Sequence, residues 1–198
     1  WDFRTWFYRA NAKGALQRWD EALADFIEAL ARAPRRESVL NVLELHRGRL
    51  GVRVQRQLFW PKAYARREGK DVAIYLDKNV NAFPAWMAYG SCKAAWLGEP
   101  EHRRAVAGRP DVVYSNHEDR ECFMNLLGMY RAMRAEDRAK LEPQLERIWE
   151  ITLAKHLDSF LVYEFMTRVS PHAVLMSGEQ GIERMKEFIR RWVVVKEK

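Results

Sequence analysis

Apolar residues recur along most of the chain at three- and four-residue intervals, the period that lays one stripe on a helix. Trp19, Ala22, Leu23, Phe26, Ala29 and Leu30 form such a stripe. They predict a helix that starts near Asp20 and ends before Pro34. Leu40, Val42, Leu43 and Leu45 predict another, closed near Gly48 or Gly51, and Phe83 to Trp96 a third with Gly98 just past its end. Ser115 or Asn116 can cap a helix from about His117 to Arg134, carrying Phe123, Leu126, Leu127 and Tyr130. Leu141 to Leu157 follows with Leu145, Ile148, Trp149 and Leu153, then Phe160 to Val169, broken by Ser170-Pro171. Ile182 to Val195, with Met185, Phe188, Ile189 and Trp192, closes the series. The sequence thus predicts about ten helical segments joined by short turns.

Strand signals are sparse. No Asn-Gly or Asp-Gly turn is present, and β-branched alternation is confined to pieces such as Val52-Arg53-Val54 and Val112-Val113-Tyr114. The expected fold is therefore all-α, a single domain of antiparallel helical hairpins over 3–36, 38–80, 84–112, 117–157 and 158–198, with an insertion at 55–70.

Serial hairpins call for a search for internal repeats. The stretch Phe3 to Pro34 resembles a tetratricopeptide repeat: Trp6 and Ala10 hold first-helix positions, and Trp19, Ala22, Phe26, Ala29 and Pro34 hold second-helix positions. Arg9 and Lys13 stand where that pattern has Leu and Tyr. Thirty-seven residues separate Trp86 from Phe123 and Phe123 from Phe160, with Tyr89, Leu126 and Tyr163 in the same register. Cys122 to Tyr130 resembles the first helix of a pentatricopeptide repeat. The same step joins Trp6 to Leu43. The resemblance implies a short stacked superhelix in which Trp6, Ala10, Trp19, Ala22, Phe26, Ala29, Pro34, Trp86, Phe123 and Phe160 pack repeat on repeat.

Composition adds that 34 basic residues outweigh 27 acidic ones, and that 24 of the 34 are Arg. An Arg-rich surface suits bidentate contacts to carboxylate or phosphate. The longest apolar runs, such as Trp192 to Val195, are far too short to cross a bilayer, so no direct membrane insertion is expected. Cys92 and Cys122 lie thirty residues apart with no C-x-x-C spacing, which predicts neither a disulfide framework nor a zinc ribbon, and a reducing compartment. The chain begins at Trp1. With its Arg content and a pI of about 9.5 this fits a mitochondrial matrix protein that has lost a transit peptide.

Catalytic and metal chemistry find little support. His102, His117, Cys92 and Cys122 lack the local pairing of zinc ligands. The acid-rich run His117 to Glu121 is read as a helix start, and His156 and His172 as helix-end or surface residues. No phosphate-cradling Gly loop, nucleophile elbow or dinucleotide fingerprint is present. The expectation is no enzyme, no cofactor and no metal.

The pentatricopeptide resemblance implies RNA binding, read by a polar side chain two residues after the opening aromatic. That position is Asn125 in one repeat but Ala88 and Val162 in the other two, so a code is missing from two of three. The tetratricopeptide resemblance implies a clamp for carboxylate tails; Asn11 suits it, whereas Phe7 and Leu45 do not. What remains is protein docking, with Trp1, Trp60 and Trp192 as contact candidates because they lie at the ends or in the insertion. By size and repeat type the chain resembles the pentatricopeptide-type accessory subunits on the F1 sector of protist mitochondrial ATP synthases, which implies gripping an F1 α subunit. An organellar RNA-binding or mitoribosomal protein and a free tetratricopeptide adaptor are the alternatives.

Overall fold

A computed structural model describes residues 2–108, 110, 116–133, 142–167, 174 and 178–197. Helix dominates, at 69% against 10% strand, so the expected all-α character stands, with two small antiparallel sheets added to it. The chain divides into two compact units: residues 1–58 with 155–198, and residues 59–154.

In the first unit, α1 (Phe3–Ala15) and α2 (Trp19–Arg32) form a helical hairpin. Asp2 caps α1, its carboxylate accepting from the Arg4 backbone N–H at 3.0 Å. The turn closes α1 with the paired hydrogen bonds of a Schellman motif, Gln17 N–H to Gly14 O at 3.0 Å and Arg18 N–H to Lys13 O at 2.9 Å. Gln17 occupies the left-handed position (φ 60°) that glycine usually fills. Ala10, Ala22, Phe26 and Ala29 are buried along the hairpin seam, small residues permitting close approach and the phenyl ring filling it.

Helix α3 (Glu37–Leu45) and the single turn α4 (Arg47–Leu50) follow, then strand β1 (Val52–Val54). The expected second helix of a 38–80 hairpin is absent. After the break in this unit come α9 (Leu157–Leu161), continued by a π turn at Val162–Met166, and α10 (Gly178–Phe188), continued by a π turn at Ile189–Val193. Strand β4 (Val194–Lys196) ends the series and pairs with β1, Val52 opposite Lys196 and Val54 opposite Val194. The sequence pattern carried the last helix to Val195; Val194 and Val195, with β propensity, find a strand partner instead. The breaker expected at Ser170-Pro171 lies outside the described residues, as do the Val112 to Tyr114 strand, Ser115 and Leu141.

The second unit opens with a β-hairpin inside the expected insertion: β2 (Ala63–Glu68) and β3 (Asp71–Leu76), Glu68 opposite Asp71. A two-residue loop, Gly69-Lys70, joins them, and only Gly69 has positive φ (63°). That is the arrangement with glycine first that matches strand twist. Helices α5 (Phe83–Gly98), α6 (Pro100–Ala107), α7 (Asn116–Ala132) and α8 (Pro143–Leu153) complete the unit. The hairpin lies so close on α5 that a Cβ at Gly90 would come within 2.7 Å of Ile74 Cγ2, and one at Gly98 within 3.0 Å of Val72 Cγ2. Helix α8 stops at Leu153 rather than Leu157 because Lys155 takes a left-handed φ of 61° and redirects the chain into α9.

Candidate docking surface

The two departures from the tetratricopeptide pattern have a common purpose. Arg9 and Lys13, one turn apart on α1, both reach Asp25 on α2: Arg9 Nη2 donates at 2.6 Å, Arg9 Nε at 2.7 Å, and Lys13 Nζ lies at 2.8 Å. Asp25 is buried. Burial pushes its carboxyl up, but the Arg9 and Lys13 hydrogen bonds and charges outweigh this and hold it below the ordinary carboxylate value. Arg9 and Arg32 also cover the Trp6 ring, at 4.2 and 4.7 Å from its centroid. Glu28 pairs with Arg32 on its own helix and with Lys186 of α10.

Beside this hairpin lies a cleft of about 220 Å³ lined by Ala10, Asn11, Gly14, Ala15, Trp19, Phe26, His46 and Arg49. Trp19 is its aromatic wall; the His46 ring lies 5.2 Å from the indole centroid and the Arg49 guanidinium 5.3 Å. The Asn11 amide donates to Phe7 O at 2.8 Å, within its own helix. Around the cleft the chain exposes large apolar side chains: Leu16, next to Ala15, is 68% exposed, and Leu45, next to His46, is 76% exposed. Tyr8, 66% exposed, shares a helix face with Asn11 and Ala15.

Elsewhere the buried carboxylates are engaged in ion pairs. In the first unit Glu164, inside the π turn, accepts from the Leu58 N–H at 2.6 Å and Arg35 Nη1 at 2.7 Å. In the second unit Glu142 accepts from Lys62 Nζ at 2.7 Å and Trp86 Nε1 at 3.3 Å. Lys93 bridges Glu118 and Asp119, both at 2.8 Å. Burial works against its ammonium, but neighbouring Tyr89, Asp119 and Glu118 more than offset it and raise the pKa. Burial also pushes the Tyr89 phenol up to about 12. Glu121 accepts from Trp96 Nε1 at 2.7 Å and contacts His102 Nε2 at 3.1 Å. The run His117 to Glu121 thus sits at the start of α7, and its acids also tie α7 to α5 and α6.

Cys92 on α5 and Cys122 on α7 are joined in a disulfide, Cα to Cα 5.3 Å. This corrects the expectation drawn from their spacing. Antiparallel packing of α5 on α7, with Tyr89 against Phe123 and Lys93 against Asp119, brings together residues with no local pairing signal. Among the described residues no group of three His, Cys, Asp or Glu side chains is placed to hold a metal ion, and no helix is long and apolar enough to cross a membrane.

Of the three tryptophans singled out for docking, Trp1 lies outside the described residues. Trp60 is half exposed, its backbone N–H and C=O both bonded to the Gln144 amide, at 3.0 and 3.1 Å. Trp192 is partly buried in the last π turn, under the Arg191 guanidinium at 5.1 Å. Trp60 belongs to the second unit and Trp192 to the first. Trp86, Phe123 and Phe160 are buried, as are Ala10, Ala22, Phe26, Ala29 and Pro34, with Trp6 and Trp19 partly so. Asn125 is exposed, and Ala88 and Val162 are partly buried. His156 is partly buried and its pKa lowered by that burial, while His172 lies outside the described residues.

The cleft was missed because its liners come from the end of α1, the start of α2 and the α3–α4 junction. Only the two exposed leucines, Leu16 and Leu45, placed at helix ends, could have signalled it. No protein-family model, curated protein or solved structure matches the chain.

Proposed function

We propose that this chain is a non-catalytic helical-repeat docking subunit that grips another protein within a larger assembly. The observation that supports this reading is the α1–α2 helical hairpin with an aromatic cleft beside it, together with exposed Leu16 and Leu45, each next in the chain to a residue that lines the cleft. Apolar side chains that a folded unit leaves in solvent around a concave site are what a partner covers. The non-catalytic reading is supported by the buried carboxylates: Asp25, Asp119, Glu142 and Glu164 each face a cation at hydrogen-bond distance, a structural arrangement.

The particular assembly is the one the sequence resemblance implies, the F1 sector of a mitochondrial ATP synthase on the matrix side, with an α subunit gripped and the repeats forming a short superhelix. The Cys92–Cys122 disulfide weighs against the matrix part of this reading, because such bonds persist where conditions are oxidising. The test is affinity purification of the endogenous protein after nuclease treatment, followed by native electrophoresis and peptide sequencing. Co-migration with ATP synthase subunits supports the whole reading. Co-migration with a different protein keeps the docking role and removes the F1 assignment. Loss of all partners on nuclease treatment overturns the reading in favour of RNA binding.

A further inference from the structure

Trp19, His46 and Arg49 stand around the cleft, and no Asp or Glu lines it. The neighbouring arginines are neutralised: Arg18 pairs with Glu21 at 2.6 Å and Arg47 with Glu44 at 3.0 Å. Arg49 differs. Among the described residues it has no carboxylate partner, and its guanidinium lies over the Trp19 ring, 5.3 Å from the centroid. The Asn11 amide is engaged with Phe7 O, and Ala10, Gly14 and Phe26 are the buried residues of the lining. The lining is therefore apolar and aromatic where it is buried, with an exposed cation, Arg49. At about 220 Å³ it exceeds the roughly 150 Å³ cavity that takes up benzene.

We propose that the cleft is the anchor pocket of the docking surface, and that it takes an apolar side chain flanked by carboxylates on an acidic segment of the partner protein. This rests on the docking reading above. The apolar side chain enters between Trp19 and Phe26, and an adjacent Asp or Glu meets Arg49 and His46. Charge complementarity selects this occupant: the chain carries a net charge of +7, and Arg49 lies over the Trp19 ring with no counter-charge among the described residues. A nucleic acid strand fits less well, since it needs a track of phosphate contacts rather than one exposed cation on an apolar pocket.

The experiment uses the full chain and three blocked peptides with no free terminal carboxylate: acetyl-Asp-Glu-Leu-Glu-Asp-amide, the same with Gly for Leu, and acetyl-Asn-Gln-Leu-Gln-Asn-amide. Binding is followed by NMR at the Trp19 indole N–H, assigned by its disappearance in Trp19→Phe. The acidic leucine peptide is expected to shift that resonance and to bind about tenfold more tightly than either control. Arg49→Ala and Ala15→Glu, both at exposed positions, are expected to weaken it about fivefold or more with the circular dichroism spectrum unchanged. Equal binding of the three peptides, shifts at other indoles with Trp19 unmoved, or indifference to Arg49→Ala overturns the proposal. So does a short oligouridylate that outcompetes the acidic peptide. A partner that still co-purifies with Arg49→Ala and Ala15→Glu would sink this pocket while leaving the docking reading intact.

Discussion

Replacing Gly90 with alanine tests the contact that sequence periodicity did not show, the β-hairpin seated on α5. In an open helical position glycine-to-alanine stabilises by about 1 kcal/mol, and Gly128 in α7, with nothing within 4 Å of its would-be Cβ, provides that reference. At Gly90 the added carbon would lie 2.7 Å from Ile74 Cγ2, well inside the ~3.5–4.0 Å of a favourable carbon contact. Overpacking of this kind costs about 1–3 kcal/mol, so it offsets the helical gain and leaves Gly90→Ala destabilised by about 1 kcal/mol. The gap between the two substitutions should then be about 2 kcal/mol. Ile74→Ala removes the obstructing methyl. In that background Gly90→Ala should behave as Gly128→Ala does, giving a coupling energy of about 2 kcal/mol in the double-mutant cycle. Urea unfolding followed by tryptophan fluorescence and circular dichroism measures the parent protein and all four variants. Equal stabilisation by Gly90→Ala and Gly128→Ala, or additive effects with Ile74→Ala, would refute the packing described.

Three further outcomes are expected. Asp25→Ala leaves Arg9 and Lys13 without their buried partner and should cost about 2 kcal/mol in chemical denaturation. Because the folded Asp25 carboxyl titrates below its unfolded value of about 3.9, its contribution is full above that pH and is lost as pH falls through the lowered folded value. Asp25→Asn should therefore flatten the acid limb of the stability profile. Gln17→Gly and Lys155→Gly, each relieving a left-handed side-chain residue, should raise stability by about 0.5–1 kcal/mol in the same assay. The Cys92–Cys122 bond closes a loop of thirty residues, worth about 3–4 kcal/mol on the chain-entropy account; mass spectrometry without reductant should show it formed, and Cys92→Ser should lower the unfolding midpoint accordingly.

The helices were legible because their information is local. The Trp19 to Leu30 stripe, the Pro34 boundary and the helix from Phe83 to Trp96 follow from periodicity and terminators alone, although that helix includes Gly98 instead of stopping before it. The hairpin escaped because its turn is Gly69-Lys70, a glycine-first loop, and because neither strand alternates: β2 ends in a charged run, Arg66-Arg67-Glu68, and β3 is continuously apolar from Val72 to Leu76. The pairing of β1 with β4 joins residues from opposite ends of the chain, which no window can contain. Cys92 and Cys122 failed for the same reason. Arg9, Lys13 and Asp25 were visible as mismatches to a repeat pattern; that the mismatches answer one another across the hairpin needed its geometry.

The most direct test of the docking account places a photo-crosslinking amino acid at Leu16 or Leu45, beside the cleft, and at Leu153, an exposed position in the other unit. Irradiation in nuclease-treated native extract should give one shared, covalently captured protein from the first two positions and none from the third. Capture from Leu153 alone, or of nucleic acid at Leu16 and Leu45 when nuclease is omitted, would contradict the account.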